Sequence, residues 1–476
     1  MNKFFVSVGL ATAGAAAFQT SCLAQSSMLE SPKIWNVSAQ LDGFYDDNYA
    51  TAANNKKEGS FGLEFSPTIS ADLPLTQTEI GVLYTYGLQY YEQRDHIGVN
   101  PVDQDHTFNL WVDHSFNERW NAKVSDTFVD GQEPALLNSG GTGGSPLRLN
   151  GDNIANNASI DLHTDWTRLF STDLTYGNGF YQYSQSGYGV STNTPSGFYS
   201  VYTGGAPGTA NSIYAPSYAG SLNRVQNSID LDLKWNISPQ TVISVGYEFL
   251  LVNYTGDEII GYDNVPNGTI GLVNGKLAIV PPYTYNGTIG AVYHSNSRDN
   301  DSHIAYLGIQ ENLLDSLVAA AKVGIQYVDD YNDPLQKTTS LEPYANLSLI
   351  YTYLPDCNAQ IGFTQSRNAT DVVSINTQTG SLTLDQESST LYASVNHHFT
   401  PKLLVTVIGQ WSDSTFNGGQ YANQADTDYN LGVSASYAFT RHISGNVNYN
   451  YDDLLSPINT RGYDRNRISI GMSVAY

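Results

Sequence analysis

Charge is scarce in this chain of 476 residues: only 14% of it is Asp, Glu, Lys or Arg, and 45 acidic residues against 21 basic ones leave a formal net charge of −24. That balance excludes a protein held to nucleic acid by phosphate contacts. It fits a surface that meets cations and repels other anions. Cysteine is rarer still, with two. Cys22 lies in the N-terminal stretch discussed below, so Cys357 is left alone, can form no intramolecular disulfide, and reads as an incidental thiol at a short turn. After the N-terminus no apolar run approaches the ~20 residues that a spanning helix needs. There is no G-x-S-x-G elbow, no H-E-x-x-H and no cysteine pair for zinc. The nine histidines are scattered. Asp105 and His106 are adjacent, and on a strand they point to opposite faces. Neither an enzyme nor a cofactor is expected.

What is abundant is tyrosine, with 34 residues, and glycine, with 42, in a background of Asn, Ser and Thr. The N-terminus has Lys3, an apolar stretch from Phe4 to Phe18, and Cys22-Leu23-Ala24 before Gln25. Residues 1–24 read as a cleaved export signal. The alternative is lipidation of Cys22, which Gln19-Thr20-Ser21 matches poorly. Residues 25–33 are then a short periplasmic segment.

From Ile34 onward the chain alternates. In Ser228 to Ile237, Ile229, Leu231, Leu233, Trp235 and Ile237 share one face, and Asp230, Asp232, Lys234 and Asn236 share the other. Ile443 to Asp452 and Leu317 to Tyr327 repeat the pattern, a period of two that means strands. Short turns are expected near residues 73–77, 117–119, 168–171, 238–240, 313–316, 354–357, 400–402 and 441–442. Several carry an apolar residue followed by Ser or Thr, as in Ile237-Ser-Pro, Phe399-Thr-Pro and Phe439-Thr-Arg. Longer connections separate them, the most extended near 132–155, 184–224 and 255–301. Eight turns and nine loops require 18 strands, an even number with both ends on one side. The expected fold is all-β: a transmembrane antiparallel up-and-down barrel over 34–476, with short periplasmic turns and long outer loops. Only a closed barrel satisfies every backbone group in lipid without helices. Tyrosines such as Tyr84, Tyr86, Tyr90 and Tyr91, and Trp120 and Trp235 near turns, fit interfacial girdles. Asp126 falls on the lipid face between Val124 and Phe128. A register error of one residue there is the preferred explanation, a protomer contact the other.

The last strand carries Ile468, Ile470, Met472, Val474 and Tyr476 on one face. It resembles the C-terminal strand of bacterial outer-membrane barrels, which implies recognition by periplasmic chaperones and barrel-assembly machinery. Gly43-Phe-Tyr-Asp-Asp-Asn48, Asp103-Gln-Asp-His106, Arg119-Trp120 and Lys123-Val-Ser-Asp-Thr-Phe128 resemble the putative β-barrel porin 2 group of outer-membrane proteins. The resemblance implies a barrel in outer-membrane lipid with no settled substrate; some relatives accompany exopolysaccharide export.

Eleven acids are expected in the lumen: Asp42, Glu64, Asp72, Glu79, Asp113, Asp161, Asp165, Asp173, Asp230, Asp232 and Glu248. The expected bases are fewer: Lys123, Lys234, Lys322, Arg465 and Arg467. Charged linings decide which ions cross a pore, so the excess predicts a mild cation preference unless acids and bases pair and cancel. The pairs Asp46-Asp47, Asp329-Asp330 and Asp452-Asp453 are expected at the outer rim, as divalent-cation contacts or as solvated loop bases. An Asn274-Gly275 turn between Ile270, Leu272 and Leu277, Ile279 predicts a hairpin. It either narrows the pore or extends the wall.

These features point to a passive channel for small hydrophilic solutes. The alternatives are a component of polysaccharide export or a closed structural or adhesive barrel. Homo-oligomers are possible, although no one sector of the wall stands out in the sequence.

Overall fold

The first strand, β1 (Trp35–Asp46), is hydrogen-bonded to β2 (Ser60–Pro74) on one side and to the last strand, β22 (Tyr463–Ala475), on the other. The sheet therefore has no edge. The computed structural model describes residues 34–476, apart from 97–99, 133–152, 185–217, 257, 263–269, 274–275, 280–291, 334, 336, 377–378 and 459–460. The export signal expected at 1–24, the segment 25–33, and the middles of the three longest loops lie outside the described residues.

Around the barrel follow β3 (Thr78–Tyr91), β4 (Val102–Ser115), β5 (Trp120–Gly131), β6 (Asn153–Asp165), β7 (Phe170–Tyr183), β8 (Arg224–Asn236) and β9 (Thr241–Tyr254). Then come β14 (Asn300–Leu314), β15 (Leu317–Asp330), β16 (Thr338–Leu354), β17 (Cys357–Asn368), β18 (Asp385–Thr400), β19 (Leu403–Asn417), β20 (Ala425–Ala438) and β21 (Ile443–Leu455). Together these make the 18-stranded closed antiparallel barrel that the alternation predicts. The four short strands β10 (Ile259–Tyr262), β11 (Ile270–Val273), β12 (Lys276–Ile279) and β13 (Val292–His294) belong to the connection between β9 and β14. There β11 and β12 pair with Ile270 opposite Ile279 and Val273 opposite Lys276, the expected hairpin.

Five of the eight short turns share one construction. A Ser, Thr or Asn side chain accepts the backbone N–H groups two and three residues on: Asn117 from Arg119 and Trp120, Thr167 from Leu169 and Phe170, Ser238 from Gln240 and Thr241. Thr400 and Thr440 do the same for Lys402 and Leu403, and for His442 and Ile443. The hydroxyl or amide thus replaces a turn hydrogen bond. The residue before each is apolar and exposed: Phe116, Trp166, Ile237, Phe399 and Phe439. This is the physical content of the repeated apolar–Ser/Thr motif. The first member faces lipid at the membrane boundary and the second closes the turn.

Side chains alternate as a pleated wall requires. On β22, Ile468, Ile470, Met472 and Val474 are all more than half exposed outward, as is Tyr476, which follows the strand and exchanges backbone hydrogen bonds with Val37. Ser469, Gly471 and Ser473 face inward. The register correction expected at Asp126 is overturned. Pairing runs without a shift through Asp126 opposite Leu110 and opposite Ala158, so its carboxylate faces outward, between Val124 and Phe128. It is sustained there by Asn156, whose Nδ2 donates to Asp126 Oδ1 at 2.7 Å. A second correction concerns Tyr91. It belongs to no girdle but points inward and is fully buried.

Candidate functional site

Every acid and base expected inside alternates with lipid-facing neighbours and so lies on the inner face. They differ in depth and company. Asp72, Glu79 and Lys123, toward the turns, are exposed to the lumen. Lys123 stands between Asp113 and Asp161 in register, while Asp113 accepts from Asn121 Nδ2 at 2.6 Å and Asp161 from Thr175 Oγ1 at 2.7 Å. Asp173 holds His163 at 2.5 Å and also Lys234, and His163 reaches Asp165 at 3.5 Å. Arg467 Nη2 donates to Glu64 at 2.7 Å, and its guanidinium lies over the Phe44 ring. Asp42 is buried and accepts from Asn446 and Gln40.

The densest stretch spans β8, β9, β14 and β15. Asp230 and Glu248 are directly opposed across two strands. Tyr306 OH donates to Asp230 at 2.9 Å. Lys322 Nζ donates to Asp232 at 2.9 Å and to Tyr306 OH at 2.8 Å. Tyr306 can lie flat on the wall because its cross-strand partner is Gly246: a Cβ there would stand 2.1 Å from the ring. Glycine is required here for close approach, and Tyr344 packs against the Tyr306 ring, with centroids 5.7 Å apart, so that both are buried. Among the described residues Asp232 Oδ1 has no hydrogen-bond partner.

Toward the loops the inner face is filled. Asp46, Tyr91, Phe416 and Tyr463 are fully buried. Tyr91 packs with Phe44, Tyr49 and Ala50, and Tyr463 with Leu454. Much of the rest is segment 369–384, between β17 and β18, a small hairpin with Ile375 bridged to Leu382. Leu382 and Leu384 pack with Ile260 and Tyr293 from the β9–β14 connection. Tyr293 OH donates to the Gly380 carbonyl. Val372 packs with Phe416 and Ile458. Two arginines fix the hairpin. Arg461, after β21, donates to both oxygens of Asp371 and to Asp426. Arg298, before β14, is fully buried and donates to the carbonyls of Leu384, Ser221 and Thr370 at 3.2, 2.9 and 2.7 Å. A cap built from four different connections therefore crosses the outer mouth.

The rim pairs part to opposite faces, as adjacent strand residues must. Asp46 faces in and is held by Arg465 at 2.7 Å, which also reaches Asp452 at 3.9 Å. Asp47 faces out and takes Asn466 Nδ2 at 2.9 Å. Asp329 pairs with Lys337 at 2.5 Å, and Tyr451 OH donates to Asp453 at 3.2 Å. Asp330 faces in and is fully buried near Arg367 and Asp385. No pair converges on one point, and among the described residues no three His, Cys, Asp or Glu stand together as a metal cage.

Sequence reasoning did not single out Arg298, Arg461 or the 369–384 hairpin. The available signal was arginine inside Gly- and Asn-rich loops of a chain so poor in bases.

The family described as putative beta-barrel porin 2 matches residues 357–476, about the last quarter of the chain. The family is the one suggested by motifs in the first strands, but the matched residues are β17 to β22, at the other end. No curated protein matches. Among solved structures, the outer membrane protein opdK of Pseudomonas aeruginosa is 9% identical at a TM-score of 0.41, with 93% of this chain and 99% of that one covered. OccK2 (OpdF) of the same organism, in complex with glucuronate, is 10% identical at 0.42, with 93% and 98% covered. The FrpB iron transporter of Neisseria meningitidis (F5-1 variant) is 9% identical at 0.42, and this chain covers only 66% of its length. The family match and the closed barrel point to a bacterial outer membrane.

Proposed function

We propose that the chain is a porin-like channel for passive diffusion of small hydrophilic solutes, with a mild preference for cations, and that the cap limits its conductance. A barrel of this strand number encloses an aqueous lumen unless something fills it. The observation that carries the reading is the way lumen charge pairs. Lys234, Lys322 and Arg467 are each taken by one carboxylate, and Arg465 lies between Asp46 and Asp452. Asp113 and Asp161 share the single Lys123 in register, and Asp42, Asp230 and Glu248 are left with hydrogen-bond donors or with one another. Pairing does not cancel the lining; it leaves it negative.

The test is single-channel recording of the refolded mature protein in a planar bilayer under a salt gradient. Open steps with a cation-selective reversal potential support the proposal. An anion-selective reversal potential overturns the charge argument. The filled outer mouth favours a second reading, a barrel sealed in its resting state. A silent wild type whose 369–384 deletion conducts would support that reading.

A further inference from the structure

The outward belt above the turns is mostly apolar. Phe249 and Leu251 on β9, Ile325 on β15 and Phe65 and Leu63 on β2 are examples. Other outward polar side chains at similar heights pair with neighbours: His106 with Tyr84, Gln365 with Glu387, Asp413 with Thr427, and Asn466 with Tyr449 and Asp47. One sector differs. On β6, β7 and β8 the outward positions Asn156, Asn178 and Asn227 are amides, with Asp126 on β5 one step deeper. Apolar residues continue above them at Ile154, Phe180 and Val225, so the amides lie within the belt.

Their depth is common to all three. Asn156 stands nine residues from the turn end of β6 at Asp165, Asn178 eight from Phe170 of β7, and Asn227 nine from Asn236 of β8. At about 3.3 Å per residue and a tilt near ~40°, this is roughly 20 Å above the turns. Their hydrogen bonds are half made. Asn156 Nδ2 donates to Asp126, Asn178 Nδ2 donates to Asn227 Oδ1 at 2.9 Å, and Tyr176 OH donates to the same oxygen at 2.8 Å. Among the described residues nothing meets Asn156 Oδ1, Asn178 Oδ1 or Asn227 Nδ2. Polar groups left unmade in lipid are costly.

We infer that the β6–β8 face is where a second copy of this chain docks, about a two-fold axis along the membrane normal through Asn178. Such an axis exchanges left and right at constant depth. It sets the free acceptor Asn156 Oδ1 of one copy opposite the free donor Asn227 Nδ2 of the other, twice, with Asn178 facing its own counterpart. A two-fold interface requires this reciprocity, and the donor and acceptor stand at one height on either side of the axis. Ala158, between Asp126 and Asn178 in register, lets the walls approach.

The experiment is oxidative crosslinking of the full mature chain in native outer membranes, in a Cys357→Ala background. Asn178→Cys is expected to form a disulfide dimer of twice the protomer mass. Leu431→Cys, outward on β20 nine strands around the barrel, is expected to form none. Adding Asn156→Leu and Asn227→Leu to Asn178→Cys is expected to abolish the dimer while the barrel keeps its heat-modifiable migration. Equal crosslinking at 178 and 431, no crosslinking at 178, or a product with the mass of a different protein would overturn the inference. So would a dimer that survives both leucines.

Discussion

Arg461 grips Asp371 through two hydrogen bonds, Nη2 to Oδ1 at 2.7 Å and Nη1 to Oδ2 at 3.0 Å, with each side chain only 2% exposed. The same guanidinium reaches Asp426 through Nε at 2.6 Å. One side chain thus ties the hairpin over the outer mouth to the barrel wall. Truncating one partner of a buried ion pair costs about 3–5 kcal/mol, because the other charge is left without compensation. Arg461→Ala leaves two such carboxylates. The cap is therefore expected to detach while the barrel stays folded. Single-channel conductance should rise above wild type, and protease should gain access near residue 380. Unchanged conductance with the cap demonstrably released would mean that the hairpin does not limit flow.

Asp330 gives the cap a pH dependence. It lies beyond Tyr327, where the outward belt of β15 gives way to the charged Asp329. Both of its carboxyl oxygens lack a hydrogen-bond partner among the described residues. Burial first, and then the charge of Asp385, pushes its pKa well above the usual carboxylate range; Arg367 opposes the shift, and Asp333 and Asp329 add to it. A carboxyl whose folded pKa is raised stabilises the structure fully below the unfolded value of about 3.9 and loses that stabilisation as pH rises through the folded one. Thermal release of the cap should accordingly fall in temperature as pH is raised from about 4. Asp330→Asn should flatten the profile, and a profile unchanged by that substitution would remove Asp330 from the account.

Why was the barrel legible in the sequence and the cap not? The turns at residues 238–240 and 400–402 announce themselves locally, through Ser238 or Thr400 closing the turn and Ile237 or Phe399 facing lipid. Inner and outer faces follow from the period of two, since a single slip would turn Asp230 and Asp232 into lipid. The cap has no such local cause. Arg298 is held by the carbonyls of Ser221, Thr370 and Leu384, and a carbonyl is the same at every residue, so nothing in the side-chain pattern marks its partners. Asp126 was legible as an exception. The preferred explanation failed because a neighbouring strand supplies Asn156, which no single-strand pattern reveals.

Lumen selectivity should respond to the charges that remain unpaired. Asp230→Asn with Glu248→Gln removes two opposed carboxylates from one level of the wall. The reversal potential in a salt gradient is then expected to move toward zero. Lys322→Met acts in the other direction by freeing Asp232, and should increase cation preference. If both variants shift the potential alike, fixed charge at this level does not set selectivity.

Gly246 offers a test of how the wall is kept flat. Its hydrogen atoms make room for the Tyr306 ring, whose Cζ would lie 2.1 Å from a Cβ at that position. Gly246→Ala forces the ring off the wall into the lumen, breaking its donation to Asp230 and its contact with Lys322. Overpacking of this kind costs about 1–3 kcal/mol. The variant should unfold at lower denaturant concentration and conduct less, because the displaced ring narrows the passage. Tyr306→Phe is the control that separates the two causes. It keeps the ring on the glycine but loses the hydroxyl, so it should retain wild-type conductance and shift selectivity only through the freed Asp230. A loss of conductance in Tyr306→Phe equal to that in Gly246→Ala would locate the effect in the hydrogen bonds instead of in the position of the ring.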